Sequence, residues 1–262
     1  MPNKIKNFED LAINKTRKAV LEIIEAGLEA VDTEKVIREN IRLDGASLFV
    51  KDEVISLKEI SRIFIIGVGK CSLDAGRAIE EILGDLISGG IVVDVRKGEL
   101  RRTKTYGGTH PLPSEKNERA TKAIIEMLKG ATEKDLVIFI ISGGASTLLY
   151  QPQNMTFFEE GKIFEYLTVE GVTIQEINTV RKHLSLARGG YLAEHAYPAR
   201  VISLVFSDVI GNDLEFIASG PTIKDTTTLA DAKKVLKEFG VEKALGFKLR
   251  GLMETPKEDK YF

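Results

Sequence analysis

The sequence predicts an α/β fold: a doubly wound, mostly parallel sheet of Rossmann-like three-layer α/β/α build, preceded by a helical segment. Two observations carry this expectation. Several segments are nearly continuous apolar runs of strand length, the pattern of strands covered on both faces. Helix-period segments alternate with those runs along the chain, as in a wound parallel sheet.

Residues 8–31 read as one amphipathic helix. Val20, Ile23, Ile24, Leu28 and Val31 recur at three- and four-residue spacing, with Lys15, Arg17, Lys18 and Glu22 between them. A short helix follows over 33–40. Arg62-Ile63-Phe64-Ile65-Ile66-Gly67 is the first buried strand, leading through Gly67-Val68-Gly69-Lys70 into a helix over 72–83. Ile91-Val92-Val93-Asp94-Val95 is the next strand. A helix over 115–129 then turns Ala120, Ala123, Ile124, Met127 and Leu128 inward. Leu136-Val137-Ile138-Phe139-Ile140-Ile141 is the strongest strand and ends in Ser142-Gly143-Gly144. Helices are expected over 156–169 and 174–187, the second stopped by Gly189-Gly190. Val201–Phe206 is a further strand, ending in Ser207-Asp208, and a last helix covers 229–239. No repeat or linker divides the chain, so residues 1–253 read as one domain and 254–262 as a polar, frayed tail.

Composition narrows the function classes. The 262 residues carry 37 Lys and Arg against 39 Asp and Glu, a net charge of −2, without the basic excess of a nucleic-acid binder. A single cysteine, Cys71, excludes an internal disulfide framework and a Cys-rich zinc module. The apolar runs are too short for a membrane span, and the first ten residues hold no signal-peptide core. The expectation is a cytoplasmic protein acting on small molecules, with neither nucleic acid nor membrane as partner.

In an open parallel sheet, ligands bind beyond the carboxyl ends of the strands. Three such ends carry suggestive turns. At the first, a phosphate-binding P-loop fails, because Phe64 stands where glycine is needed and Cys71 where Ser or Thr should bind magnesium. A dinucleotide fingerprint fails at Ser72, although Asp94 ends the next strand where a ribose-binding acid would sit. What remains is simpler: Gly67 and Gly69 permit close backbone approach, and Lys70 brings an ammonium to a helix N-terminus. Taken alone, this reads first as a tight turn with a solvated lysine.

The second turn, Ser142-Gly143-Gly144-Ala145-Ser146-Thr147, has only small side chains. Its backbone N–H groups can form a nest for phosphate oxygens, with Ser142 and Ser146 adding hydroxyls. It lacks the Gly-x-Ser-x-Gly of a hydrolase elbow, and a plain tight turn is the alternative. In the third, Asp208 can hold Mg²⁺, orient a hydroxyl, or simply form an Asx turn or N-cap. Asn178, Arg181, Lys182 and Ser185 share one polar helix face, either an anion-binding face or a solvated one. His110, His183 and His195 show no metal-ligand spacing. Residues 96–104 hold five cations against one acid and read as an exposed loop.

The ordered set of motifs carries more than any one of them. Gly67-Val68-Gly69-Lys70, Thr109-His110-Pro111-Leu112-Pro113, Asp135 through Leu149, Glu176 through Ser185, Gly189-Gly190, Ser207 through Gly211 and Ile217 through Thr222 occur in family order over almost the whole chain. In this the sequence resembles the MOFRL-type glycerate 2-kinases, some of which have been labelled hydroxypyruvate reductases. The resemblance implies ATP- and Mg²⁺-dependent transfer of the γ-phosphoryl group to the 2-hydroxyl of D-glycerate, giving 2-phosphoglycerate. It gives Lys70 the task of binding substrate and stabilising the group in flight, and Asp208 that of holding Mg²⁺ or orienting the hydroxyl. Gly67, Gly69, Ser142, Gly143, Gly144, Ser146, Asn178, Arg181, Ser219, Gly220 and Thr222 would line the phosphate and substrate crevice.

The sequence departs from the family pattern at Tyr191, Arg188, Asn212 and Ser114. Family members continue past a segment like Glu254–Lys257 into a second domain that adds active-site groups, including an arginine, and the expectation is that this domain is absent here. A homo-oligomer or a separately encoded C-terminal chain would then complete the site. The alternatives are a non-catalytic phosphometabolite-binding or interaction subunit and an NAD(P)-dependent hydroxypyruvate reductase.

Overall fold

The computed structural model describes residues 4–262. The expected first helix is two: α1 (Phe8–Leu11) and α2 (Lys15–Ala30), divided where Asn14 caps α2 by accepting from Arg17 N at 2.9 Å. α2 has no buried residue. Its apolar residues Val20, Ile23, Ile24 and Leu28, with Val31 at its C-cap, are 43 to 73% exposed, so the stripe faces outward rather than into a core. α3 (Thr33–Asn40) follows, capped by Asp32.

Residues 41–56 form an antiparallel meander that the apolar-run pattern misses: β1 (Ile41–Asp44), β2 (Ser47–Val50) and β3 (Glu53–Ser56). Each strand is four residues long, too short for a run to register. Leu48 and Ile55 are nonetheless buried, packed with α3 against one face of the main sheet.

The main sheet has five parallel strands in the order β6 (Lys104–Gly107), β5 (Ile87–Asp94), β4 (Arg62–Val68), β7 (Asp135–Ser142), β8 (Arg200–Phe206). All eight residues of β7 are buried, which is why that segment is apolar from end to end. Asp135 is tolerated at its start because Arg62 grips both carboxylate oxygens, at 2.8 and 2.6 Å. α4 (Ser72–Leu83) covers one face of the sheet and α5 (Glu115–Leu128) the other, each with its own apolar cluster. The doubly wound expectation therefore holds. The chain runs outward from β4 through β5 to β6, then returns to place β7 on the other side of β4. That reversal is the topological switch point, where a crevice opens at the strand ends.

A third apolar cluster joins α7 (Phe157–Val169), α8 (Ile174–His183), α10 (Leu229–Glu238) and α11 (Val241–Leu245). α8 stops at His183, four residues short of its expected end. Gly189 (φ +58°) and Gly190 (φ +90°) do not stop it; they lead into α9 (Tyr191–Ala196), which Gly190 caps. Short α6 (Ala145–Leu148) follows the β7 turn.

The C-terminal segment is not frayed. Thr255 is buried, Lys257 Nζ donates to the carbonyls of Asp225 and Thr227 at 2.8 and 2.6 Å, and the Phe262 ring lies against Gly190. The basic stretch is likewise tied down: Arg96 pairs with Asp74 and Asp94, and Glu80 accepts from the N–H groups of Arg101 and Arg102.

Candidate active site

The ends of β4 and β7 are adjacent, and their turns lock together. Lys70 N donates to Gly143 O at 3.0 Å, and Cys71 N to Ser142 Oγ at 3.3 Å. Gly69 has φ +132°, and a Cβ there would stand 2.0 Å from Ser142 Oγ and 2.7 Å from Ser142 O, so only glycine fits. The Ser142 hydroxyl, buried, thus holds the two turns together.

Lys70 and Asp208 both lie against the β7 turn, at consecutive glycines. The Lys70 stem lies across Gly144, its Cε 3.1 Å from where a Cβ would be, and His110 Cδ2 lies 3.3 Å from the same point. The Asp208 carboxylate lies against Gly143, where a Cβ would come within 2.2 Å of Oδ2. Both glycines leave room for those charged groups. Among the described residues, neither Lys70 nor Asp208 has an ion-pair partner within 4.0 Å. Burial and the Lys70 charge push His110 below the usual histidine value, so it is neutral at pH 7.

Behind the turn, Ser146 Oγ and Ser219 Oγ are 3.1 Å apart, and Ser219 Oγ donates to Asn178 Oδ1 at 3.1 Å. Ser219 sits in a run of left-handed backbone, Ala218 (φ +56°), Ser219 (φ +60°) and Gly220 (φ +55°). Such a run is strained for the two non-glycine residues and is held by Gly189 N and Gly190 N donating to Ser219 O and Gly220 O, both at 2.8 Å.

Comparison with known proteins gives this geometry its relatives. A family profile described as "Domain of unknown function (DUF4147)" matches residues 19–254. A D-glycerate 2-kinase of Thermotoga maritima is 36% identical over 245 residues, covering 92% of this chain and 55% of that one. The chain belongs to the glycerate kinase family. A glycerate 2-kinase of Pyrococcus horikoshii is 35% identical, over 86% of this chain and 51% of that one. The crystal structure of a P. horikoshii protein aligns with a TM-score of 0.83 at 33% identity, over 94% of this chain and 58% of that one. The T. maritima glycerate kinase structure aligns at 0.76 and 33%, over 90% and 55%. The chain thus spans about half the length of the curated glycerate kinases it matches.

Within this glycerate kinase fold, the residues expected at the site separate into groups. Gly67, Gly69, Lys70, Ser142, Gly143, Gly144 and Asp208 meet at the strand ends; Ser146, Ser219, Gly220 and Asn178 stand behind them. Arg181 lies beyond, over the Phe164 ring at 4.5 Å. Thr222 is elsewhere, its hydroxyl 2.8 Å from that of Ser203 on β8. Asp94 is taken up by the fold: besides pairing with the Arg96 guanidinium, its oxygens accept from Leu73 N at 3.1 Å, which caps α4, and from Arg96 N at 2.9 Å. Lys182 turns away to Asp225 and Glu215.

Two positions escaped the sequence reading. His110, beside Lys70, sits in a quoted motif without a role. Asn117, buried on α5, accepts from Thr109 N at 2.9 Å and donates to Thr109 O and Thr147 O at 2.9 and 3.0 Å, fixing the His110 loop to α6. Asn117 occupies a helix position where only burial reveals its importance.

Proposed function

We propose that this chain carries out phosphoryl transfer from ATP to the 2-hydroxyl of D-glycerate, giving 2-phosphoglycerate. The observation that carries the proposal is the pair Lys70 and Asp208, set without ion-pair partners among the described residues against the consecutive glycines Gly144 and Gly143. Phosphoryl transfer needs positioning and charge neutralisation more than covalent chemistry. Lys70 supplies a mobile positive charge to the group in flight, and the small residues of the turn let a phosphate reach backbone N–H groups. Asp208 and neutral His110 are the two groups there able to orient the hydroxyl or accept its proton.

Among the described residues no group of three or more His, Cys, Asp or Glu is suited to hold a metal. Mg²⁺ would therefore be held by Asp208 together with phosphate oxygens, a common arrangement for this ion. Bound there, it would supply further neutralisation of phosphate charge.

The test is ³¹P NMR of the chain with Mg·ATP and D-glycerate. A new 2-phosphoglycerate resonance, lost in Asp208→Asn, is the expected result. The 3-isomer, or NADH oxidation with hydroxypyruvate and no phosphoryl product, would overturn the proposal. Binding of both ligands without product would make the chain a phosphometabolite-binding module.

A further inference from the structure

Lys70 and Asp208 account for the acceptor and the group in flight but leave the bulk of a nucleotide without a seat. A cleft of about 420 Å³ begins two residues past Gly144, at Ser146, between the Pro111–Pro113 loop with Ser146 on one wall and α7 with Arg181 and Arg188 on the other. Its volume lies in the range, roughly 300–1,000 Å³, of pockets that enclose ligands much larger than a three-carbon acid.

Three features of the cleft lack an explanation within the fold. First, the Arg181 guanidinium faces it, stacked on Phe164, with no hydrogen-bond or ion-pair partner among the described residues. Burial and the like charge of Arg188 push Arg181 down to about 10, so an anion there would relieve a real penalty. Second, Arg188 and Glu160, each about 1% exposed, pair at 2.7 Å, yet Arg188 Nε and Glu160 Oε2 have no partner. Both residues line the cleft. The two open atoms are themselves shut off from solvent, so the pair is a charged wall of the cleft rather than a direct contact for its ligand. Third, Gly161 stands in the interior of α7, where glycine is less favourable than alanine. A Cβ there would touch nothing within 4 Å. Its absence widens the cleft and serves no packing contact. The lining balances Arg181 and Arg188 against Glu160 and the exposed rim residue Glu165, but only Arg188 and Glu160 are paired, which leaves the Arg181 charge open among the described residues.

We infer that this cleft seats the nucleoside triphosphate, with its base against Phe164 and the proline loop and its phosphates toward Arg181 and Ser146. Ser146 belongs to both the cleft and the turn that Lys70 crosses at Gly144, so a terminal phosphate at Ser146 arrives beside the lysine. The inference rests on the kinase reading and adds to it which wall of the crevice holds the donor.

The experiment measures binding of a fluorescent ATP analogue with Mg²⁺ and, separately, of D-glycerate, in the wild type, Gly161→Phe and Arg181→Met. Gly161→Phe fills the cleft from a position with open space, and a thermal melt confirms that it folds. Both variants are expected to weaken nucleotide binding at least about tenfold while D-glycerate binding stays within twofold. Unchanged nucleotide binding in both would overturn the inference and leave the kinase reading standing. If the wild type binds no nucleotide even with D-glycerate present, the kinase reading falls and the inference falls with it.

Discussion

Two lysines, Lys70 and Lys182, sit in surroundings of opposite design. Lys182, about 3% exposed, reaches Asp225 and, at 3.3 Å, Glu215. Asp225 in turn accepts from Thr227 N and Oγ1 at 2.9 and 2.8 Å and from Thr255 Oγ1 at 3.0 Å. Next to it, His183 Nε2 lies 3.2 Å from Glu254. Charges here are matched, buried and used to fasten α8, the 225–228 loop and the C-terminal segment into one unit. Lys70 is exposed, has no acid partner among the described residues, and lies across Gly144, where a Cβ would crowd its stem. The difference teaches how to separate architecture from chemistry: a charge whose partners are all present in the chain holds the fold, and one left open at a strand end awaits a ligand.

Removing one member of the fastened group should have the largest effect on stability. Lys182→Met strands the Asp225 carboxylate in the interior, and breaking a buried pair in this way costs roughly 3–5 kcal/mol. A denaturant melt should show it as a lower midpoint, with D-glycerate binding per folded molecule unchanged. A loss below about 1 kcal/mol would break the contrast by showing that the knot is not needed.

Gly69→Ala comes next. It forces a Cβ into Ser142 at a left-handed φ, for which roughly 1–3 kcal/mol of strain is expected, together with loss of activity because the two turns separate. This is the one position where fold and site are expected to fail together.

Acid titration sharpens the comparison by its sign. Burial alone would raise the Asp225 carboxyl, but Lys182 and the Thr227 groups hold it below the usual value, and the Arg62 grip does the same for Asp135. Their stabilisation is complete above about pH 4 and disappears as pH falls through their lowered native values. Burial lowers His110 as well, with the Lys70 charge adding to it, so its contribution is complete above about pH 6.5 and is lost on further acidification. Stability should therefore decline in two stages, and His110→Asn should remove part of the first without touching the second. The smallest effect is expected at a cap away from both lysines. Thr173→Ala, which opens the Thr173–Glu176 capping box of α8, should cost about 1 kcal/mol in the same melt.

How far the sequence reaches follows from the range of the interactions. β4 and β7 were legible because strands covered on both faces must be apolar throughout. β8, an edge strand that is only partly buried, carries the same kind of apolar run. The turns after β4 and β7 were legible because only glycine or small residues allow the close approaches seen. The adjacent Arg181 and Lys182 could not be told apart as members of one polar face. A helix rotates about 100° per residue, and here that rotation sends one to the cleft and the other to Asp225. The Arg188–Glu160 pair joins positions 28 apart, a contact that no local pattern encodes. Nor could the stripe on α2 announce that it faces outward, since periodicity reports that a face is apolar and not what covers it.

The most direct measurement compares D-glycerate phosphorylation by the wild type and Lys70→Ala at equal folded concentration, with melting temperatures taken on the same samples. The account predicts at least about a hundredfold loss of turnover, as when one charge-stabilising group is removed from an active site, with an unchanged melting temperature. Turnover within a few fold of wild type in Lys70→Ala would contradict it.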